Sequence, residues 1–128
     1  MLEKHAVVGS DREGVIRIWT DGATKLFGHE PEAAIGESLN LLIPPAFRDR
    51  HWPAFHAAVA TGVSRYDGIV FADPIVHADG SVVIHRGRFA LMKDAEGVTI
   101  GAISTWGPPR PEDQGFSGPR VVRRDASS

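Results

Sequence analysis

The chain has 128 residues, 42% of them apolar, and a formal net charge of -2 from acids and bases interspersed along its length. That length supports one domain with a real core, and the balanced charge offers neither a broad basic surface for nucleic acid nor a polybasic membrane anchor. Cysteine is absent, which removes disulfides, thiolate metal sites, iron–sulfur clusters and any cysteine nucleophile.

The opening "MLEKHAVVGS" has no long apolar h-region. No apolar run approaches the roughly 18 residues of a membrane span. The chain is therefore expected to be soluble and cytoplasmic, with residues 1–9 as an N-terminal extension and residues 10–106 as the folded domain. "VIRIWT" follows the turn signal "DREG" and alternates apolar with polar, the pattern of a half-buried strand. "DGATKLFG" makes about two helical turns before Gly28 stops it, and "EPEAAIG" has acids at its start and Gly36 at its end. "SLNLLIPP" ends in a proline pair that cannot continue a helix.

The next helix covers "RDRHWPAFHAAVATG". Proline is tolerated in a first turn, so Pro53 puts the start of this helix near His51. With His51 at 0° and 100° per residue, Phe55 falls at about 40°, Val59 at about 80°, Trp52 at about 100° and Ala58 at about 340°. These form one apolar face with His51 on its edge. His56 falls at about 140°, and an i, i+5 pair of histidines diverges too far to share a metal ion.

From Tyr66 the pattern changes to strands. "YDGIVFADPIV" and "SVVIHRGRFALM" flank "HADG", whose Asp79-Gly80 is a strong hairpin signal. "KDAEG" then leads into the β-branched run "VTIGAISTW". If Phe89 and Leu91 face inward, Gly87, His85 and Val83 share that face, with Ile69 and Phe71 on the neighbouring strand. Val82, Ile84, Arg86 and Arg88 then face outward. His85 is expected as a hydrogen-bonded core histidine, and His29 and His77 as solvated. After Trp106 the composition turns to Pro, Gly, Ser and charge, so residues 107–128 are expected to be a disordered tail.

The strings "DREGVIRIWTDGATKLFG", "EAAIGESLNLLIPPAFRDRH" and "HADGSVVIHRGRFAL" resemble the PAS sensory domain family in a strand ending in Trp, an "LFG" helix end, a "G.SL..L.P...R..H" approach to a helix, and a "DG" hairpin. The resemblance implies an α+β fold: a five-stranded antiparallel sheet with short helices over one face and an internal pocket. Family domains that bond a flavin or a chromophore covalently need a thiol, which this chain lacks.

The pattern is most similar to bacterial heme-based gas sensors. In those the proximal ligand falls on the histidine that aligns with His51, and the spacing from His51 to Asp79-Gly80 matches without a gap. The resemblance implies heme b with iron on His51, a propionate contact at Arg65 that His56 or Ser64 assists, and a pocket wall from Phe55, Ile69, Phe71, His85, Gly87, Phe89 and Leu91. Where those sensors commonly carry arginine this chain has Phe71, and where some carry methionine it has Ile69. That pocket would lack a donor for dioxygen, which CO and NO need less.

The resulting expectation is a sensor of a gas, of redox state or of a small molecule, without enzymatic activity. Its outer sheet face, in keeping with the family, is expected to dock a second copy or a partner signalling protein. Because "GPPRP" cannot form a helical linker, the signal is expected to pass non-covalently. The alternatives are an empty or small-organic-ligand pocket in an interaction module, and a small enzyme with His51 or His85 as general base.

Overall fold

The structure, a computed structural model, describes residues 2–116 and 118–125. In chain order the elements are β1 (Ala6–Asp11), β2 (Ile16–Trp19), α1 (Asp21–Phe27), α2 (Pro31–Ala34), α3 (Arg48–Thr61), β3 (Ile69–Val76), β4 (Val82–Lys93), β5 (Thr99–Trp106) and β6 (Arg120–Arg124), with short 3-10 turns between several of them. The strands form one antiparallel sheet in the order β2-β1-β5-β4-β3-β6. It is the expected α+β architecture with six strands instead of five.

Three turns of the sheet share one chemistry. Asp11, Asp79 and Asp94 each direct Oδ1 at the backbone N–H two residues on, at 3.0, 2.9 and 2.9 Å. A side chain that holds its own turn in this way makes Asp followed by Gly a readable hairpin signal. Helix α1 is capped by Thr20, whose Oγ1 accepts from Ala23 N–H. At its other end Gly28 takes φ 92° and returns its N–H to the Thr24 carbonyl, a left-handed cap that favours glycine.

Three boundaries differ from the sequence reading. Residues 6–9, expected in an extension, open β1 and pair with β5 from Ala6↔Trp106 onward. Their burial is continuous along the strand, so they carry no period-2 alternation to read. Met1 lies outside the described residues. Helix α3 starts at Arg48, not near His51, and carries Pro53 in its second turn. The Arg48 guanidinium ties this start to the preceding loop, donating to the carbonyls of Ile43 at 3.1 Å and Asn40 at 3.2 Å.

The third difference is the C-terminal segment. Residues expected to be a disordered tail form a 3-10 turn at Pro111–Asp113 and the strand β6 on the free edge of β3. Ser117 and residues 126–128 of that expectation lie outside the described residues. Composition misled because the segment is held by specific polar contacts, not by apolar burial. Asp113, fully buried, accepts from Arg86 Nε at 2.8 Å and Nη2 at 3.1 Å and also from Arg120 Nη2.

The Gln114 amide accepts from Ile84 N–H at 3.0 Å and donates to the Ile84 carbonyl at 2.9 Å, standing in for a strand residue beyond the end of β5. Arg88 pairs with Asp125. Ile84, expected outward and exposed, is 5% exposed, while Val82 remains 53% exposed.

The apolar side chains form two clusters. One gathers Ala6, Val8, Ile16, Trp19, Phe27, Leu42 and Ile75 beneath α1, and the other gathers Phe55, Val59 and Ala102 beneath α3. Between them is the site.

Candidate functional site

A cavity of about 410 Å³ lies between α3 and the inner face of the sheet and takes walls from both clusters: Val8, Leu42 and Ile75 from the first, Phe55 and Ala102 from the second. Leu39, Phe71, Phe89 and Trp106 extend the apolar lining. Its size suits a small organic molecule. Pro119 and, from strand β6, Arg120 and Val121 supply part of the wall.

The polar groups of the cavity differ in how well they are satisfied. Ser104 accepts from Trp106 Nε1 at 3.0 Å, and Ser64 accepts from Tyr66 N–H at 3.1 Å. Asp73, half-buried, lines the cavity, and its carboxyl makes no hydrogen bond or ion pair to any described residue. Burial pushes its carboxyl up to about 7, with the positive charge of Arg50 opposing that shift. At neutral pH the group is therefore divided between its acid and carboxylate forms.

His51 also lines the cavity, and its Nδ1 is buried without a partner. Burial first, and the charge of His56 second, hold its imidazole down at about 4, so it is neutral at pH 7. Its ring stacks on Phe55 at 5.7 Å and meets Trp52 edge-on at 4.7 Å. His56 is turned to the outside and stacks on Trp52 at 5.6 Å, in keeping with the divergence of the two histidines along the helix. Among the described residues no three His, Cys, Asp or Glu side chains gather as a metal site.

The family model described as PAS fold matches residues 4–105. This chain belongs to the PAS family. A curated relative of this PAS domain, the protein translocase subunit SecA of Gracilaria tenuistipitata var. liui, is 32% identical over 92 residues, which are 70% of this chain and 9% of that protein. The chain spans so little of that relative that the translocase role stays with the relative.

Among solved structures, the PAS domain of a protein from Colwellia psychrerythraea superimposes with a TM-score of 0.69 at 23% identity, over 82% of this chain and 86% of that one. The LOV domain of the blue-light photoreceptor Aureochrome1 superimposes with a TM-score of 0.68 at 15% identity, over 89% and 82%. At such identities the likeness shows the fold alone. The fold and family make this chain a sensory PAS module.

Of the residues expected around the pocket, His51, Phe55, Arg65, Phe71 and Phe89 do line the cavity of this PAS domain, with Arg65 exposed at its rim. Ile69, His85, Gly87 and Leu91 do not. Leu91 packs against the cluster of Phe55, Val59 and Ala102. Ile69 is buried beyond the cavity, at the start of β3. Gly87 acts at one remove: a Cβ there would stand 2.5 Å from the Trp106 ring, so the bare backbone lets that ring lie close over β4.

His85 has the expected inward parity, but Phe27 of α1 covers it, ring centroid to ring centroid 5.2 Å. Its Nδ1 faces the Gly107 carbonyl at 2.8 Å and must donate there, which leaves Nε2 to accept from His77 Nε2 at 2.8 Å. His85 is thus the hydrogen-bonded core histidine. His77, expected as solvated, is its partner. His29, also expected as solvated, packs edge-on to Trp19 and keeps a buried Nε2.

Asp73 was missed in the sequence, although "FADPIV" places one acid at the same strand parity as Phe71 and Ile75. Arg50, Tyr66 and Trp106 were missed as well. The outer face expected to dock a second copy or a partner is covered around Arg86 and Arg88 by Asp113 and Asp125 of the chain itself. No described helix is long and apolar enough to cross a membrane.

Proposed function

We propose that this PAS domain senses a small, uncharged organic molecule that carries a planar amide or lactam edge on an apolar body. The observation behind this reading is the Asp73 carboxyl, which lines an apolar cavity with no hydrogen-bond partner among the described residues. A polar group largely withdrawn from water without a partner is costly, and a ligand that completes its hydrogen bonds recovers that cost. In its protonated form the carboxyl offers one donor and one acceptor, the complement of an amide N–H and C=O.

A cationic ligand is a poorer match, because Arg50, Arg65 and Arg120 line the same cavity. A binding role also suits the two histidines better than catalysis: His85 has both ring nitrogens engaged, and His51 has no group to orient it as a base.

Heme on His51 is the second reading, favoured by a neutral imidazole on the cavity wall. An iron-bound histidine normally directs its other N–H at a carbonyl, carboxylate or water, and the buried Nδ1 of His51 has no acceptor among the described residues. The heme fit is therefore incomplete, and no step is assigned to it.

Benzamide serves as the probe in an NMR titration of the labelled protein. Shifts confined to amides around the cavity, lost on Asp73→Ala, are the expected result. No shifts, together with a Soret band from added hemin that vanishes in His51→Ala, would replace this reading with the heme one.

A further inference from the structure

The sheet carries a second depression, an open groove of about 450 Å³ on the face away from the cavity. Residues directly opposite each other on neighbouring strands point to the same face, and the pairs Val7↔Thr105 and Thr105↔Arg88 set a row across β1, β5 and β4. Arg123 of β6 stands opposite Val70 of β3. The sequence neighbours Val8, Ser104 and Phe71 line the cavity, so this row faces outward. Val7 and Val70 are buried and give the groove an apolar floor.

Besides His5, the charged and hydroxyl side chains of the groove are Arg86, Arg88, Arg110, Arg123 and Thr105, and among the described residues no carboxylate lines it. The acids lie at its margins. Asp113 accepts from Arg86 Nε and Nη2 and from Arg120, and Asp125 accepts from Arg88 and, at 3.4 Å, from Arg123 Nε. Glu112 acts on Arg86 from farther away. Five arginines, Arg86, Arg88, Arg110, Arg120 and Arg123, thus stand against three acids, an excess of two positive charges. A chain with a formal net charge of -2 has gathered cationic charge on one face, which concentrates anions there.

Donors remain unspent in the groove. The Arg110 guanidinium and the exposed Thr105 hydroxyl make no hydrogen bond to any described residue. Arg86 keeps Nη1 free and Arg88 keeps Nε free, because their pairing with Asp113 and Asp125 uses the other nitrogens.

We propose that this groove binds the dianion of a small phosphate monoester. Above its second pKa near 6 such a group carries a charge of about -2, which matches the excess of arginine. Its terminal oxygens are acceptors that donors arriving from separate strands can share, and the arginine fork suits them. The site goes beyond the amide reading and is independent of it, since the cavity lies on the opposite face of the sheet.

Methyl phosphate serves as the probe in an NMR titration of the full chain at pH 7.5 and constant ionic strength. Saturable shifts at the amides of Arg88, Thr105 and Gly107, with those around Asp73 unmoved, are the expected result. Arg110→Ala, which removes no hydrogen bond made by that guanidinium in the fold, is expected to weaken binding about tenfold, the worth of a charge-assisted hydrogen bond. Thr105→Val should act in the same direction to a smaller extent. Asp73→Asn, in the cavity, and Lys25→Ala, on exposed α1, are expected to leave the affinity unchanged.

Shifts that chloride reproduces, shifts centred on the cavity, or an affinity that Arg110→Ala leaves intact or that Lys25→Ala lowers equally would overturn the site. Succinate binding as tightly as methyl phosphate would overturn the phosphoryl assignment.

Discussion

Asp73→Asn is expected to make the fold more stable at pH 8 by roughly 2–4 kcal/mol, from a shift of about three pKa units at 1.36 kcal/mol each taken as an upper bound. Burial raises the Asp73 carboxyl to about 7 in the folded protein. The unfolded chain ionises it near the ordinary aspartate value, so between that value and about 7 the folded state binds the extra proton. Stability from this group therefore falls as pH rises through that window, and above it the penalty of a partly desolvated carboxylate without a hydrogen-bond partner remains. Asparagine fits the same space without the charge.

His51 has the opposite slope. Its imidazole, held down at about 4 mainly by burial, is neutral in the fold while the unfolded chain still protonates it up to its model value of 6.5. Stability from His51 is therefore fully present above that value and is lost as pH falls through about 4. In the unaltered protein the two slopes oppose each other between about pH 4 and 6.5.

In Asp73→Asn only the His51 slope is left of the pair, and stability should climb by up to about 1.4 kcal/mol per pH unit across that interval. Urea unfolding of both proteins at pH 5, 6, 7 and 8 checks both slopes: the variant alone carries that of His51, and the difference between the proteins isolates Asp73, since groups common to both cancel. Equal stabilities at every pH would mean that the fold does not raise the Asp73 carboxyl.

Phe27→Ala should be the most damaging single truncation under α1, at about 3–5 kcal/mol and a fall in melting temperature of roughly 10–20 °C. The ring is fully buried and meets Trp19, His77, His85 and Trp106 at centroid distances of 5.2–6.3 Å. No flexible neighbour is placed to fill the space, because His85 and His77 are fixed by their mutual hydrogen bond and Trp19 Nε1 is held by Thr24 Oγ1 at 2.9 Å. Thermal melts of Phe27→Ala and Phe27→Leu test the claim, with the leucine variant expected to lose less than half as much. A loss below about 1 kcal/mol for the alanine variant would mean that α1 does not seal this end of the sheet.

Phe27 also explains which parts of the site were legible in the sequence. Strand parity correctly put His85, Gly87, Phe89 and Leu91 on one face, since alternation is a property of the strand alone. It could not say that α1 covers the His85 end and leaves the Phe89 end open, because that depends on where a helix packs. His51 and Phe55 were found from helical spacing even though the helix starts three residues earlier than Pro53 suggested. The hairpins were legible because each carries its own Asp-based turn.

Residues 107–116 and 118–125 were not legible. Their docking depends on Asp113 meeting two arginines from separate strands, and composition holds no record of such a meeting. Asp73 was in plain view within the strand but was not singled out, because strand parity alone does not show that the face it shares with Phe71 and Ile75 borders a cavity.

Binding of benzamide from pH 5 to pH 9, measured by NMR for the unaltered protein and for Asp73→Asn, bears most directly on the ligand-reading role of Asp73. Arg50, His51, Arg65, Tyr66 and Arg120 border the same cavity, and the asparagine variant keeps all of them. The protonated carboxyl is the form that pairs with an amide, so affinity in the unaltered protein should hold below about pH 7 and fall several-fold above it, while Asp73→Asn should bind with no such fall. A pH-independent affinity in the unaltered protein, or the same fall in Asp73→Asn, would contradict the assignment.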